Sequence, residues 1–318
     1  MKPVLWAVIL AAPLAAQVSI VQHGIETISV EIKGRPFTTF YIGPETNKPY
    51  LHPLRSASGT IVTRGYPMED IPGESHDHPH HRGLWFSHGD VNGFDFWANE
   101  RRGGKFGRIE LVKVDQVTGG KQSGTIAANF DWRDPSGNTL LTEARHMLFY
   151  SQPKDRTIDF DITLTARQKV TFGDTKEGTF ALRVASGLES PWPGAPAEPP
   201  RTGHMVDSEG RVGEAQIWGK RANWVDYYGV VDGERLGIAI FDHPENPRHP
   251  TWWHARGYGL FAANIFGLHD FEHDKTKNGS LTLQPGETLR FRYRVLIHPG
   301  DVHSARIARL YADYAAGH

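Results

Sequence analysis

Histidine side chains are concentrated in one short segment of this chain. Within residues 74–90 the sequence places four histidines in six positions, and Arg82, a further histidine and an aspartate follow. The histidines and the aspartate are His76, His78, His80, His81, His88 and Asp90. Imidazole has a pKa close to neutrality, so a histidine held beside a carboxylate can give and take protons. The segment is therefore a candidate site of acid/base chemistry.

A proline limits the backbone of this segment. Pro79 excludes a helix interior and a central strand, so the histidines should lie on a loop or sheet edge and point in several directions. A second His-Pro segment, residues 241–254, follows another apolar stretch and contains Asp242, His243 and His254. We predict that the two segments meet in one composite site.

Acid/base chemistry at a sugar ring needs one group that takes the proton of the anomeric hydroxyl and one that protonates the ring oxygen. His80 or His81 with Glu177 is the leading catalytic pairing. His254 and Asp242 are held in reserve for the same roles. A structural reading stays open, in which imidazoles satisfy backbone groups of an irregular loop.

Other side chains near the two segments are expected to bind the substrate. Arg82 could hold a carboxylate through a bidentate contact. Tryptophans would give a pocket flat apolar walls with a few polar groups, which suits the faces and edges of sugars, although such rings are also common in sandwich cores. The predicted substrate-binding residues are Arg82, His78, His88, Asp90, His243, Trp85, Trp252 and Trp253.

Metal binding is an alternative use of the same histidines. His76, His78 and His80 alternate and would share one side of an extended backbone, and imidazole suits zinc, copper, iron or nickel. However, Pro79 disturbs this geometry, and the spacing matches no diagnostic metal motif. No cofactor is favoured, and a divalent transition metal remains the alternative.

Several function classes are excluded by what the sequence lacks. There is no cysteine, and 35 basic side chains nearly balance 36 acidic ones, so thiolate chemistry is excluded and no field favours nucleic acid. The motifs of serine hydrolases, phosphate-binding loops and dinucleotide enzymes are also missing. The oligomeric state is not predicted.

The N-terminal segment is typical of a secretory signal peptide. Lys2 precedes an apolar run over residues 4–14, and small residues follow at Ala15 and Ala16. The run is shorter than the roughly 20 residues that a membrane-spanning helix needs, and no later segment is longer. We expect cleavage after Ala16, export to the periplasm or exterior, and one domain over residues 17–318.

In the rest of the chain, short segments in which apolar and polar residues alternate are the main pattern. The strand candidates are residues 26–32, 108–117, 124–132, 139–150, 156–166 and 289–297. Turn clusters such as Gly119-Gly120 separate them, at spacings typical of antiparallel sheets. Residues 302–316 are predicted to form a C-terminal helix with Asp301 as its N-cap, packed outside a sheet. The sequence therefore predicts an all-β protein, a large antiparallel β-sandwich with one C-terminal helix.

The motifs of these segments resemble the PmoA-like family of secreted bacterial proteins. They are 77–85 (DHPHHRGLW), 91–93 (VNG), 175–180 (TKEGTF), 241–244 (FDHP) and 253–254 (WH). The resemblance covers nearly the whole chain after the signal peptide. It implies a galactose-mutarotase-like supersandwich and a link to carbohydrate breakdown.

Three functions are compatible with the sequence. The first is acid/base chemistry, of epimerase, lyase or hydrolase type, on a sugar or sugar-derived ring. The second is a metal-dependent hydrolase or oxygenase that uses the histidine loop. The third is a carbohydrate-binding protein without catalysis.

Overall fold

The computed structural model describes residues 17–100, 104–192 and 195–317. The predicted signal peptide, residues 1–16, lies outside the described residues. β-Strands, numbered here in chain order, are the main regular secondary structure of the described chain, and every pair of neighbouring strands is antiparallel. The all-β class is therefore confirmed. That residues 17–318 form one domain stays a prediction.

The first large sheet, sheet 1, has eight strands. In spatial order they are β1 (Val18–His23), β2 (Thr27–Ile32), β3 (Arg35–Tyr41), β4 (Tyr50–His52), β5 (Leu84–His88), β11 (Gly178–Arg183), β16 (Leu260–Asn264) and β15 (Trp252–Ala255). Its central strands come from distant parts of the chain. Long connections therefore end beside one another on this sheet.

The second large sheet, sheet 2, also has eight strands. In spatial order they are β12 (His204–Asp207), β13 (Trp224–Val231), β14 (Glu234–Asp242), β18 (Thr288–Pro299), β9 (Arg156–Ala166), β8 (Thr139–Tyr150), β7 (Ser123–Arg133) and β6 (Arg108–Thr118). A small pair joins β10 (Val170–Phe172) to β17 (Leu281–Leu283). The helices are short: a 3-10 turn at Ser186–Leu188, then α1 (Glu214–Ile217), α2 (Leu268–Phe271) and α3 (Ile307–Ala315).

The core lies between the two sheets. Phe86 and Phe180 point inward from sheet 1, and the Phe86 ring lies 6.0 Å from that of Trp132 on sheet 2. Phe180 lies 4.9 Å from Phe160 and stacks on Tyr293 at 4.4 Å. Alternate side chains of a strand point to opposite faces, so the neighbours of Phe86 and Phe180 in sequence must occupy the outer face of sheet 1.

The C-terminal helix is present but starts later than predicted. Arg306, immediately before α3, has a left-handed backbone with φ of 57°, which separates the helix from residues 301–305. The carboxylate of Asp301 accepts hydrogen bonds from the backbone N–H groups of His303 and Ser304. It closes a turn before the helix, so the N-cap prediction is wrong. Ile307 and Tyr314 pack α3 on the outer face of sheet 2, as expected.

Within the described ranges, every helix is too short or too polar to cross a lipid bilayer.

A buried ion pair in sheet 2 predicts one pH effect on stability. His298 Nε2 donates to Asp226 Oδ1 at 3.0 Å, and both side chains are buried. Burial opposes protonation of His298, but the charge and hydrogen bond of Asp226 outweigh it and raise the histidine pKa. This stabilisation is complete below about pH 6.5 and is lost as the pH rises through the raised pKa.

We expect the free energy of unfolding to fall on the alkaline side of neutrality, and His298→Asn to remove part of that fall. The free energy of unfolding of the unmodified protein and of His298→Asn is measured by urea denaturation at about pH 6 and at about pH 8.5. The same change with pH in the two proteins would contradict the prediction.

Candidate functional site

A row of residues crosses the outer face of sheet 1. Strand pairing places Tyr41 beside Tyr50, Tyr50 beside Trp85, and Trp85 beside Ala181. Ala181 in turn pairs with Ala262, and Ala262 pairs with His254. These residues therefore lie at one level on six neighbouring strands. Large rings stand at both ends of the row, and the two alanines leave space between them.

The predicted histidine loop folds over this row. The ring of His81 stacks on Trp85 at 5.3 Å, and His78 stacks on His81 at 4.7 Å with an angle of 8°. Tyr258 lies parallel to His78, with 5.6 Å between the ring centres. We call these four residues, Trp85, His81, His78 and Tyr258, the histidine stack. Trp97 meets the edge of His81 at 5.8 Å.

A buried arginine holds the backbone of the loop. Arg64 donates to the carbonyl oxygens of Asp77 at 2.9 Å, of His78 at 3.0 Å and of His81 at 3.4 Å. These carbonyls have no strand ladder to satisfy them, so a guanidinium with five donors replaces the ladder. His78 has a left-handed backbone with φ of 44°, which is unusual for a residue with a side chain. Arg64 thus fixes a loop conformation that is unfavourable on its own.

Asp77 and His78 form a hydrogen-bonded pair. His78 Nδ1 lies 2.8 Å from Asp77 Oδ2, and Asp77 Oδ1 accepts from Arg64 at 2.6 Å and from Arg183 at 3.0 Å. Burial would raise the pKa of Asp77, but the hydrogen bond of His78 and the charges of Arg183 and Arg64 lower it below its usual range. An ionised carboxylate only accepts, so Nδ1 of His78 carries the proton and the neutral ring keeps its lone pair on Nε2.

His78 is the accessible histidine of the stack. Its side chain is 42% exposed, whereas His81 is 1% exposed. Nη1 of Arg183 donates to Nδ1 of His81 at 3.3 Å, which places the His81 proton on Nε2. That Nε2 is buried and finds no hydrogen-bond partner in the described part of the chain.

The two histidines of the leading catalytic pairing have low pKa values. Burial lowers the pKa of His80 to about 3, with a further contribution from Lys48, and burial lowers that of His81 well below its usual range. Both rings are therefore neutral at pH 7. Neutral imidazoles can donate or accept hydrogen bonds, but they supply no readily titrating proton near neutrality.

Glu177 lies near enough to Tyr258 for its charge to act on the phenol. Burial raises the pKa of Tyr258 to about 12, and the negative charges of Glu177 and Asp77 contribute to this rise. The Glu177 side chain is 36% exposed and pairs with Lys176 at 3.2 Å. Arg183 lies 4.6 Å from the centre of the Tyr258 ring, within cation–π range. The site thus combines two carboxylates, a phenol and an exposed imidazole.

Arg82 lies at the other edge of the site, next to a buried lysine. Arg82 Nη2 donates to Glu100 at 2.5 Å, and its guanidinium lies 5.7 Å from the Tyr50 ring. Lys48 donates to Trp97 O at 2.7 Å, and burial lowers its pKa to about 8. Arg82 is thus already paired with a carboxylate on this side of the stack.

The second His-Pro segment divides between the two sheets. His254 belongs to the row on sheet 1, where Nδ1 donates to Lys176 O at 3.0 Å and burial lowers the pKa to about 3. Asp242 lies on sheet 2, and its buried carboxylate accepts from Asn246, His249 and the backbone of Thr251. None of these contacts reaches the histidine stack. Asp242 therefore organises the loop that follows β14.

Five further predicted binding residues have structural contacts. His243 lies against Tyr314 of α3, 5.1 Å between ring centres, on the far sheet. His88 points into the core and donates to Gly173 O at 2.9 Å, and Asp90 accepts from Gly93 N in a turn. Trp253 is a core residue whose Nε1 donates to Ala222 O, and the ring of Trp252 lies under Arg221 at 4.5 Å. Of the predicted tryptophans, the structure brings Trp85 to the stack.

The three histidines of the metal alternative do not converge. His76 stacks on Tyr66 at 4.6 Å, and its Nε2 lies 3.0 Å from Asp70. His78 and His80 stand edge to face at 5.6 Å. Over residues 17–100, 104–192 and 195–317, no three His, Asp or Glu side chains are arranged to hold one metal ion. These residues do not fit a bound transition metal as they stand.

Sequence reasoning missed the arginines of the site. Arg64 and Arg183 are fully buried, and both contact Asp77. A signal was present for Arg183, because it ends β11, a strand that is otherwise apolar or small and is buried at every position. A buried guanidinium needs carboxylates nearby, so its position in such a strand indicates a polar site.

Comparison with known proteins gives distant structural similarity. The chain aligns over 89% of its length with a galactose mutarotase-like protein from Clostridium acetobutylicum, at 10% identity, a TM-score of 0.45 and 99% coverage of that protein. An α-galactosidase from Lactobacillus brevis aligns over 93% of this chain at 11% identity and a TM-score of 0.37. This chain spans 41% of that enzyme's length. No curated protein matches in sequence.

One family model matches most of the sequence. It covers residues 27–312, which include every strand of the two sheets except β1 and six of the nine residues of α3. The chain therefore belongs to DUF6807, a family of unknown function.

Proposed function

We propose that the protein binds a sugar or sugar-derived ring beside the histidine stack and moves protons on it, with His78 as the group that accepts the proton. The Asp77–His78 pair carries this proposal. A base that is oriented by a third, anchored group is the arrangement that proton-transfer enzymes use. Here two buried arginines anchor Asp77, which in turn orients the imidazole.

His78 replaces His80 and His81 as the leading base. It is exposed, and its free Nε2 can accept a proton from a hydroxyl group of a ligand. His80 and His81 stay neutral because burial lowers their pKa values, so we assign a hydrogen bond to the ligand to the partly exposed His80 and a packing role in the stack to His81. Glu177, on the Tyr258 side of the stack, is our candidate for the second proton-transfer group.

The surroundings favour a polar ring as the ligand. Partly exposed Tyr41 and Tyr258 present aromatic surface, and Arg82 with Glu100 supplies polar contacts at one edge. Sugars combine apolar faces with hydroxyl edges, so they match this mixture better than a purely apolar molecule. Export by residues 1–16 to the periplasm or exterior, and membership of the PmoA-like group, remain proposals from the sequence.

The test compares His78→Gln with His76→Gln. A panel of mono- and oligosaccharides, including uronic and oxidised forms, is incubated with each protein and followed by NMR for epimerisation, elimination or hydrolysis. We expect His78→Gln to lower turnover about a hundredfold or more, because general acid/base groups contribute that much. Ligand binding should be retained.

His76 is the matched control, because it lies in the same loop but contacts Tyr66 and Asp70. His76→Gln should leave turnover nearly unchanged. Equal activity of His78→Gln and the unmodified protein would overturn the assignment of His78. Saccharide binding without any reaction would instead support the non-catalytic binding function.

A further inference from the structure

A second cavity lies apart from the histidine stack. It has a volume of about 380 Å³ and opens between the ends of β4 and β11 on sheet 1 and the β13–β14 hairpin of sheet 2. Pro199 and Pro200, from the proline-rich segment of the sequence, form part of its wall. The volume is that of a small organic molecule.

Two buried polar side chains line this cavity without partners. His52 is 2% exposed and Ser186 is 3% exposed. Neither ring nitrogen of His52, nor the hydroxyl of Ser186, has a hydrogen-bond partner within the described ranges. The closest carboxylate to His52 is Glu69, whose Oε1 is 4.0 Å from Nε2. Buried polar groups are nearly always satisfied, so two that share one cavity indicate a missing ligand.

The charged side chains that line this cavity are all acidic. Glu69, Glu74, Glu198 and Asp232 line the cavity, and no lysine or arginine is among its lining residues in the described chain. Burial, with a contribution from the charge of Arg55, lowers the pKa of His52 to about 4, so the imidazole is neutral at pH 7 and can accept a hydrogen bond. Such a lining repels anions and attracts cations.

The remaining walls are apolar. Ile61, Ile71 and Val231 contribute aliphatic surface together with the two prolines. A bare metal ion would leave this surface without contacts, because hard cations prefer oxygen ligands on all sides. An ammonium group on an apolar body uses both kinds of lining.

We infer that this cavity binds a small organic cation, with its ammonium group directed to the acidic side chains and its apolar body against the isoleucines, valine and prolines. The cavity is separate from the proposed catalytic site, although one segment is shared. Glu74 lines the cavity, while its neighbour Ser75 accepts hydrogen bonds from Arg64 and Arg183 on the other side. The inference does not depend on the proposed function.

The test uses three compounds of one shape and different charge. Cyclohexylmethylammonium, cyclohexylmethanol and cyclohexanecarboxylate are titrated into the full protein, and binding is measured by calorimetry and by NMR of the histidine rings. We expect the ammonium compound to bind at least about tenfold more tightly than the alcohol, a difference of about 1.4 kcal/mol, and the carboxylate not to bind. The His52 signals should shift on binding.

Substitutions of the acidic lining residues test whether the ammonium compound binds in this cavity. Asp232 has a left-handed backbone with φ of 51°, which asparagine also tolerates, so Asp232→Asn should fold normally. Together with Glu198→Gln it should weaken binding of the ammonium compound about tenfold. Glu209→Gln, which changes an exposed carboxylate outside the cavity, is the matched control and should have no effect.

Two results would overturn the inference. Equal affinity for the ammonium compound and the alcohol would show that charge does not select the ligand. Absence of binding, or binding that leaves the His52 signals and the Asp232→Asn/Glu198→Gln protein unaffected, would show that the cavity is not the site. His78→Gln should retain ammonium binding, so failure of the proposed function would be seen separately.

Discussion

The free energy of unfolding is expected to fall steeply as the pH drops from about 6.5 to about 5. Burial lowers the pKa of His52 and His88 to about 4 and that of His80 and His254 to about 3, and it lowers the pKa of His81 well below its usual range. The unfolded chain binds protons at these residues near pH 6.5, whereas the folded chain does not. Each such histidine then costs roughly 1 kcal/mol of stability per pH unit, so the five together cost several kcal/mol.

One carboxyl group acts in the opposite direction. Burial raises the pKa of Glu189 to about 7, so the folded protein gains stability at this residue as the pH falls toward about 4.5. The gain at Glu189 offsets the loss at only one of the five histidines. Asp77, with its lowered pKa, loses its contribution only at more acidic pH. The steep region above about pH 5 therefore reports on the histidines.

Urea unfolding at half-unit steps of pH measures this slope. His254→Gln should reduce it by about one histidine's share, and His146→Gln, at an exposed position on β8, should leave it unchanged. A free energy of unfolding that is constant from about pH 7 to about pH 5 would contradict the prediction.

Replacing Arg183 with methionine is expected to destabilise the protein by roughly 3 kcal/mol or more. The guanidinium contacts Asp77 at 3.0 Å, His81 at 3.3 Å and Glu189 at 3.8 Å, and it is fully buried. Removing one partner of a buried pair leaves the other charge without compensation, which costs about 3–5 kcal/mol. Glu189, itself 1% exposed, would keep Arg201, 3.4 Å away, as its remaining arginine.

Two further variants distinguish the contribution of a buried ion pair to stability from that of an exposed ion pair. Arg290→Met removes an arginine that is 54% exposed and pairs with Asp161 on the surface of sheet 2, so the expected loss is less than about 1 kcal/mol. Arg183→Lys keeps the charge but not the planar fork, and should be intermediate. Similar losses for Arg183→Met and Arg290→Met would refute the assigned role of Arg183.

Several strands of sheet 2 could be predicted from the sequence with accurate boundaries. Residues 139–150 and 156–166 match β8 and β9, and residues 124–132 fall inside β7. In β7 buried and partly exposed residues alternate along the strand, because one face packs on the core and the other meets solvent. Such alternation is visible in the amino-acid types alone.

The strands that carry the site were harder to predict. Every residue of β5, β11, β15 and β16 is buried, because the core covers one face of sheet 1 and the loops of the site cover the other. A strand buried on both faces lacks alternation. These strands therefore have no period-2 pattern, and the row on their outer face could not be read from spacing.

The sequence by itself determined the all-β class, the C-terminal helix, the lack of thiol chemistry and the position of the histidine segment in the chain. Tertiary structure alone decided which of these side chains meet. It joined Arg183 to Asp77 across 106 positions and placed Asp242 on the other sheet from His254. The physical reason is that periodicity and turn residues act over a few neighbouring positions. The order of strands in a sheet depends on how the two faces are buried together, which no local pattern encodes.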